Sequence, residues 1–489
     1  MNIIFRRFDS YISNNEFILI FFTLVLCVLS ITAAGPNILT DADTYWHIAT
    51  GRWILENGSI PITDPFSHTM RWAPWHAHEW ASAVFLAVSY QVGGWYGVVV
   101  LTVISASLSL MLLARTLSMY LRGFYVSVFI ILAFMMMKGH LLARPHILVL
   151  PIIVIWVTLI LEARENGKRP PLLSALLIVL WANMHGSFLI GMFITGIMAV
   201  EAFFAACTAS QRRKVFQDWG LFLSIVFLSS LLTPYGFRGI IFPFEILKLK
   251  VVLSVIKEWQ PPDFGGFSPI GIWIFFVLGS VLYRGLHIPF FRILLILILL
   301  YLTLTHQRSA EYLGFVVPIL VVYSISAQWP NARAKVSIDA DHSKLSLSLF
   351  CGVMGILALL VLWVRDVAPA AKISPERALQ AARQAGVTGN VLNDYNFGGY
   401  LIFNDIPVFI DGRADMYGDA FIERFIRAVF QAATGGKSKS EFSEILTEYQ
   451  INWAISEPDG MLSIVFKNLS DWKELYRDDF AIVYIRIKQ

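Results

Sequence analysis

The sequence predicts a polytopic α-helical membrane protein of about eleven spans that ends in a small extracytoplasmic α/β domain. Three observations carry this. Hydrophobic residues fill 57% of the 489 positions and charged residues only 15%, with a mean hydropathy of +0.64; a soluble domain sits near about 45–50% and about 25%. The apolar residues are gathered in runs long enough to cross a bilayer, at about 20 residues per crossing. The last stretch, 365–489, then changes composition. Together these exclude a disordered chain, a coiled coil and an ordinary soluble enzyme. Lys+Arg 38 against Asp+Glu 34 leaves a formal charge of +4, too small a surplus for nucleic-acid binding, so positive charge is read as a topology code. Cys27, Cys207 and Cys351 lie in or beside apolar runs without metal-ligand spacing, which predicts no disulfide framework and no thiolate chemistry.

The first apolar run, Phe17 to Ala34, follows Arg6 and Arg7. It is long for a signal peptide and no A-x-A site precedes Asp41, so it reads as a first span with the N-terminus in the cytoplasm. Further spans are predicted at 95–114, 123–138, 146–162, 171–188, 189–207, 218–234, 269–283, 289–305, 311–327 and 345–364. The even-numbered connections then carry Arg115 and Arg122; Arg164, Lys168 and Arg169; Arg212, Arg213 and Lys214; Arg284; and Arg333, Lys335 and Lys344. That is the positive-inside pattern. The opposite connections hold the unusual polar residues, and an odd span count places the tail on their side. Residues 1–364 thus read as the membrane domain, with 35–80 its first outer loop, and 365–489 as the extracytoplasmic domain. In the tail, periodicity predicts a helix from Ser374 to Ala385, a strand from Asn390 to Asn393, a turn at Gly398-Gly399 and a strand from Pro407 to Asp411. Two helices and strands near 451–456 and 481–487 follow. Gly435-Gly436-Lys437-Ser438 lacks the upstream glycine and strand of a phosphate-binding loop and reads as an ordinary loop.

Ionisable groups at membrane depth are costly and mark sites. Asp41 and Asp43 stand at the outer end of the first span, before an amphipathic stretch whose Trp46, Ile48, Trp53 and Ile54 are expected in the lipid interface. A carboxylate there suits a general base or a metal ligand beside a lipid substrate, while one of the two can instead cap the following helix. His76-Ala77-His78-Glu79 lacks zinc spacing, and Glu79 reads as a residue that binds substrate or orients the site. Arg144, followed by Pro145 and His146, is suited to gripping a phosphate bidentately. His185 ends an apolar run and Glu201 falls within one. Glu258, in the longest outer loop, offers a second carboxylate for metal or acceptor, and His306 with Arg308 forms a second cationic cluster, unless Arg308 pairs with Glu311 along a helix. In the tail, Asp394 and Tyr395, then Asp411 and Arg413, stand at strand ends beside glycines and are candidate recognition residues, or else hold turns.

The segment Asp41-Ala42-Asp43-Thr44-Tyr45-Trp46-His47 resembles the first acidic motif of the GT-C glycosyltransferases, polytopic enzymes that use polyprenyl-phosphate-linked sugars. These include oligosaccharyltransferase catalytic subunits, protein O-mannosyltransferases and aminoarabinose transferases. Asp394-Tyr395, with Gly398, is similar to the W-W-D-Y-G segment of oligosaccharyltransferases, although Leu392 and Asn393 replace the tryptophans. Where those enzymes carry a second acidic motif, this chain has Arg144-Pro145-His146. The LARPH, TPYG, EWQPPD and DGR words also resemble a large group of bacterial membrane proteins. The resemblance implies a cytoplasmic-membrane enzyme of the cell envelope that moves sugar from a polyprenyl phosphate to an outer acceptor with inversion. Asp43 would be base or metal ligand; the resemblance leaves metal use open, and a divalent cation, Mg2+ or Mn2+, would have Asp43 and Glu258 as its candidate ligands. Arg144 and Arg308 would face the leaving phosphate. A lipid or glycan transporter and a non-catalytic binder of lipid-linked sugar stand as alternatives; no internal repeat is visible, which favours chemistry over passage.

Overall fold

The computed structural model describes residues 14–33, 35–334, 367–435 and 439–487. Arg6, Arg7, Lys335, Lys344, Cys351, the predicted span 345–364 and Gly436-Lys437-Ser438 lie outside the described residues.

Helices follow the apolar runs. α1 (Asn14–Ala33) is followed by α2 (Asp43–Asn57), which closes at Gly58, where φ of +61° lets the glycine N–H reach back to the Ile54 carbonyl. α3 (Trp80–Ser118) is broken at Gly93 and Gly94, the latter at φ +57°. The predicted span 95–114 is its second half, and Trp80–Val92 forms a helical arm before it. The bundle continues with α4 (Gly123–Lys138), α5 (Pro145–Glu165), α6 (Ala175–Met184), α7 (Phe188–Ala205) and α8 (Ala209–Ser230). α9 (Phe237–Ile246) lies in the predicted long outer loop, before α10 (Pro269–Arg284), α11 (Phe290–Thr305) and α12 (Ala310–Gln328). Pro145 opens α5 at a position where its missing N–H costs nothing, and a Thr208–Gln211 capping box opens α8.

Among the described residues, four stretches are long and apolar enough to cross a membrane: Trp80–Ser118, Pro145–Glu165, Phe188–Ala205 and Gln307–Gln328. Five more, Phe17–Ala33, Gly123–Lys138, Leu172–Met184, Pro269–Arg284 and Phe290–Thr305, are apolar but shorter. That is fewer than the eleven spans expected: α8 carries Arg212, Arg213, Lys214 and Asp218 in its first half, and 345–364 is not described.

A second difference concerns α2. Trp46, Ile48 and Ile54 are not lipid-facing but buried in protein, because the helix is wedged between the bundle and the tail. Gly51 makes the wedge fit, since a Cβ there would stand 2.1 Å from the Ala83 carbonyl oxygen of α3.

The tail contains α13 (Glu376–Gln384), β1 (Asn390–Asn393), α14 (Tyr395–Phe403), α15 (Ala414–Ala433), α16 (Lys439–Glu448), β2 (Ile451–Ser456), α17 (Met461–Lys467), β3 (Trp472–Arg477) and β4 (Ile482–Arg486). The four strands form one sheet in the order β1-β2-β4-β3, with β1 and β2 parallel and the other pairs antiparallel. Gly398 and Gly399 sit inside α14 rather than in a turn. A Cβ on Gly398 would meet the Ile410 carbonyl oxygen at 2.3 Å, and one on Gly399 the Ala42 carbonyl oxygen at 2.2 Å. These glycines are therefore spent on close packing. The predicted strand Pro407–Asp411 does not join the sheet either. Val408 makes a single parallel bridge with Ser67 of the first loop, the Val408 N–H donating to the Phe66 carbonyl and the His68 N–H to the Val408 carbonyl. α17 and β3 are elements the periodicity did not indicate.

Glu201 finds its partner at one end of the bundle. Arg292, at the start of α11, donates to Glu201 at 2.8 Å and also to Glu165, and Arg164 lies 3.0 Å from Glu201.

Candidate active site

The ends of α1, α4, α11 and the loop before α10 bring four short segments together around one guanidinium. Arg144, the residue before Pro145, is held extended at φ −130° and ψ 160°, as the residue preceding a proline must be, and its side chain leaves the start of α5. Its Nη1 donates to Glu258 Oε1 and Oε2 at 2.6 and 2.7 Å. Its Nη2 donates to Asp41 Oδ1 at 2.9 Å and to Asp43 Oδ2, and its Nε lies 2.9 Å from Asp41 Oδ2. Three carboxylates thus share one cation. Asp41 Oδ1 also accepts the Asp43 backbone N–H at 2.8 Å, so Asp41 serves the start of α2 as well as Arg144.

The sharing is unequal. Burial raises the Glu258 carboxyl, but Arg144, the His140 hydrogen bond and Arg308 outweigh it and hold Glu258 well below its ordinary value. Asp43 is pushed up to about 7, because burial outweighs the pull of Arg144 while Asp41 and Glu258 repel its negative form. Asp43 is thus poised to exchange a proton near neutral pH, whereas Glu258 is not.

Arg308 stands at the rim. Its Nη1 is 3.9 Å from Glu258 Oε1 and its guanidinium lies 4.5 Å above the Trp259 ring. His306 Nδ1 lies 2.8 Å from the Trp259 carbonyl oxygen, so His306 fixes the turn bearing Trp259 and Glu258 instead of touching the carboxylates. Behind Glu258, His140 Nε2 lies 2.7 Å from Glu258 Oε2, and its ring stacks on His146 at 4.2 Å. Burial disfavours the His140 cation, yet Glu258 and Glu311 together raise it to about 9. Arg308 and Glu311 do not pair along their helix.

A narrow recess of about 20 Å³ adjoins, lined by His47, Trp75, His78, Glu79, Arg413 and Asp415 among others. Glu79 faces three imidazoles, at 3.4 Å from His185, 3.6 Å from His47 and 3.7 Å from His78. Burial raises Glu79 and lowers His47 and His185 far enough to keep both rings neutral. His76 also borders the recess and packs against the rings of Tyr235 and Phe242.

The tail residues divide. Tyr395 is half-buried, and Asp43 and Asp411 both raise its phenol beyond what its removal from water does. Asp394 accepts the Glu457 N–H at 2.7 Å, and burial pushes its carboxyl up to about 7. Asp411 and Arg413 form a closed ion pair: Arg413 donates to Asp411 at 2.8 and 2.6 Å and to Asp64 at 2.5 Å, and Tyr417 donates to Asp411 at 2.7 Å. Its guanidinium also covers the Trp75 ring at 4.7 Å. This clamp ties the tail to the first loop and leaves neither residue a free valence. Sequence reasoning missed Asp64, His47, His140 and Arg292 as partners. Arg292 alone carried a signal, as a lone cation in an apolar run.

Asp43 and Glu258 do not fit a divalent cation in this arrangement. Arg144 already lies between them and satisfies both, so a cation there would have to displace a guanidinium anchored by a third carboxylate.

Among solved structures, the archaeal oligosaccharyltransferase AglB from Archaeoglobus fulgidus, in complex with an inhibitory peptide and a dolichol-phosphate, is similar over 89% of this chain and 69% of its own, at 10% identity and a TM-score of 0.51. The A. fulgidus oligosaccharyltransferase in the apo form is similar over the same shares, at 11% identity and 0.50. This chain has the GT-C fold. ArnT from Cupriavidus metallidurans bound to undecaprenyl phosphate is also similar, over 96% of this chain and 98% of its own at 13% identity, with a TM-score of 0.48. No family profile matches the chain, and no curated protein does. In this fold the Arg144 cluster lies where the loop 35–80, the bundle and the tail meet.

Proposed function

We propose that this protein is a membrane glycosyltransferase that moves a sugar from a polyprenyl-phosphate-linked donor to an acceptor on the extracytoplasmic side of the bacterial cytoplasmic membrane. The convergence of Asp41, Asp43, Arg144, Glu258 and Arg308 from four separate connections supports it most. In this reading residues 1–364 hold the lipid-linked donor and the tail, 365–489, covers the site and selects the acceptor, with Tyr395 nearest to Asp43.

Arg308 is the cation with reach toward a phosphate, since its contact with Glu258 is long at 3.9 Å. It stabilises the negative charge that develops as the polyprenyl phosphate leaves. Arg144 holds Asp43 against Asp41 and Glu258, so that the carboxyl rests near neutrality. The acceptor oxygen forms its bond to the anomeric carbon as the bond to phosphate breaks, and Asp43 takes the acceptor proton. Attack opposite the leaving group inverts the anomeric centre. Glu79, beside His78 and the neutral rings of His47 and His185, lines the adjoining recess for the acceptor.

The deciding experiment uses the full chain in nanodiscs with labelled polyprenyl-phosphate sugars. Wild type is expected to transfer or hydrolyse the sugar, and Asp43→Asn to lose at least about a hundredfold. Equal turnover by both, or lipid crossing between leaflets without turnover, overturns the proposal.

A further inference from the structure

We propose that His140, His146 and Glu311 bind one divalent cation of the zinc class, which pins the turn carrying Arg144 to α12. Glu311 Oε1 lies 3.5 Å from His140 Nδ1 and 3.4 Å from His146 Nε2, and one ligand atom from each residue falls within 4.8 Å of the others. A direct hydrogen bond in a dry interior would close to about 2.7–3.2 Å, and one carried by a charged imidazole to about 2.7–2.9 Å. The two observed edges instead match a tetrahedron whose corners stand about 2.1 Å from its centre, an edge of roughly 3.4 Å.

Two of the three atoms that bound this gap have no other partner. His140 Nδ1 and Glu311 Oε1 are buried without a hydrogen-bond partner, and Glu311 is 1% exposed; orphaned polar atoms of this kind call for something between them. His140 Nε2 lies 2.7 Å from Glu258, so Nδ1 is the ring nitrogen left to face Glu311, and it exchanges its proton for the cation on loading. A carboxylate behind an imidazole whose other nitrogen meets a cation is the usual outer support of such sites. Two imidazoles and one carboxylate suit zinc and similar metals in preference to magnesium or calcium. His146 Nε2 also lies 3.0 Å from the His140 carbonyl oxygen, and exchanges that bond for the cation on loading. The site stands behind Glu258, apart from Asp41 and Asp43, so the cation positions Arg144 instead of touching the reacting sugar.

The test is metal uptake by the purified full chain in nanodiscs, stripped with chelator and then offered Zn2+, Co2+ or Mg2+. One Zn2+ per chain is expected to survive desalting, and Co2+ to show the visible absorption of a tetrahedral site. His146→Gln and Glu311→Gln, each checked for monodispersity, should bind at least about tenfold more weakly, while His76→Gln binds as wild type. Should Glu311→Gln fail to fold, His140→Gln takes its place. Absence of stoichiometric Zn2+ and Co2+, undiminished affinity in His146→Gln, or Mg2+ competing at equal concentration overturns the site. None of these readouts depends on sugar transfer, so the cation and the transferase fail separately.

Discussion

Arg144 meets Asp41, Asp43 and Glu258 through all three of its nitrogens, and lysine cannot replace that fork, since an ammonium is a point charge on a flexible stem. Arg144→Lys is expected to keep the charge and lose the geometry, cutting sugar transfer by about tenfold to a hundredfold, with folding preserved. A variant as active as wild type would show that charge alone suffices. Asp43 yields a second prediction. A base must be deprotonated, and burial places this carboxyl at about 7, so kcat/KM should climb with pH through neutrality and level off above it. A rate already flat from pH 5 upward would remove Asp43 from the role of base. These residues were legible because charges at the ends of apolar runs are expensive enough to need a reason. Their pairing was not legible, because which carboxylate meets Arg144 depends on how the helices pack.

At the scale of elements, α14 shows where pattern reading fails. Two adjacent glycines read as a turn because they weaken helices, yet here they let the helix press against Ala42 and Ile410. Tertiary packing overrides propensity, and no local signal announces it. Gly399→Ala should therefore cost more than helix propensity would return, about 1–3 kcal/mol, and detach α14 from the start of α2. Hydrogen exchange of 395–403 in the full protein would rise; protection equal to wild type would contradict the close contact. Asp394, at the entry to α14, links this element to pH. Its folded carboxyl sits at about 7, above the ordinary 3.8, so the folded tail binds more protons than the unfolded one between those values. The stability it contributes is fully present below about pH 4 and is lost as pH rises through 7. Asp394→Asn should abolish that slope and protect the tail at pH 8, as read by hydrogen exchange across pH. An unchanged slope would assign it to another group.

Over the whole molecule, two polar clusters stand at opposite ends of α5. Arg144 precedes its first residue, and Glu165, bound to Arg292, is its last. Its 21 residues span roughly 30 Å, about the thickness of a bilayer's hydrocarbon core. This separation is what the charge pattern along the sequence anticipated. The clamp that fastens the tail was not anticipated, because Asp64 and Arg413 are 349 residues apart and nothing local marks their pairing. Arg413 is 1% exposed and Asp64 and Asp411 fully buried, so removing the cation strands two carboxylates in a dry interior. Arg413→Met should cost about 3–5 kcal/mol, and the loss should appear as earlier thermal unfolding and faster proteolysis between bundle and tail. Since Arg413 touches none of Asp41, Asp43, Arg144 or Glu258, donor lipid should still bind while transfer fails. A variant that retains the melting temperature of wild type would mean that the first loop and α14 alone hold the tail in place.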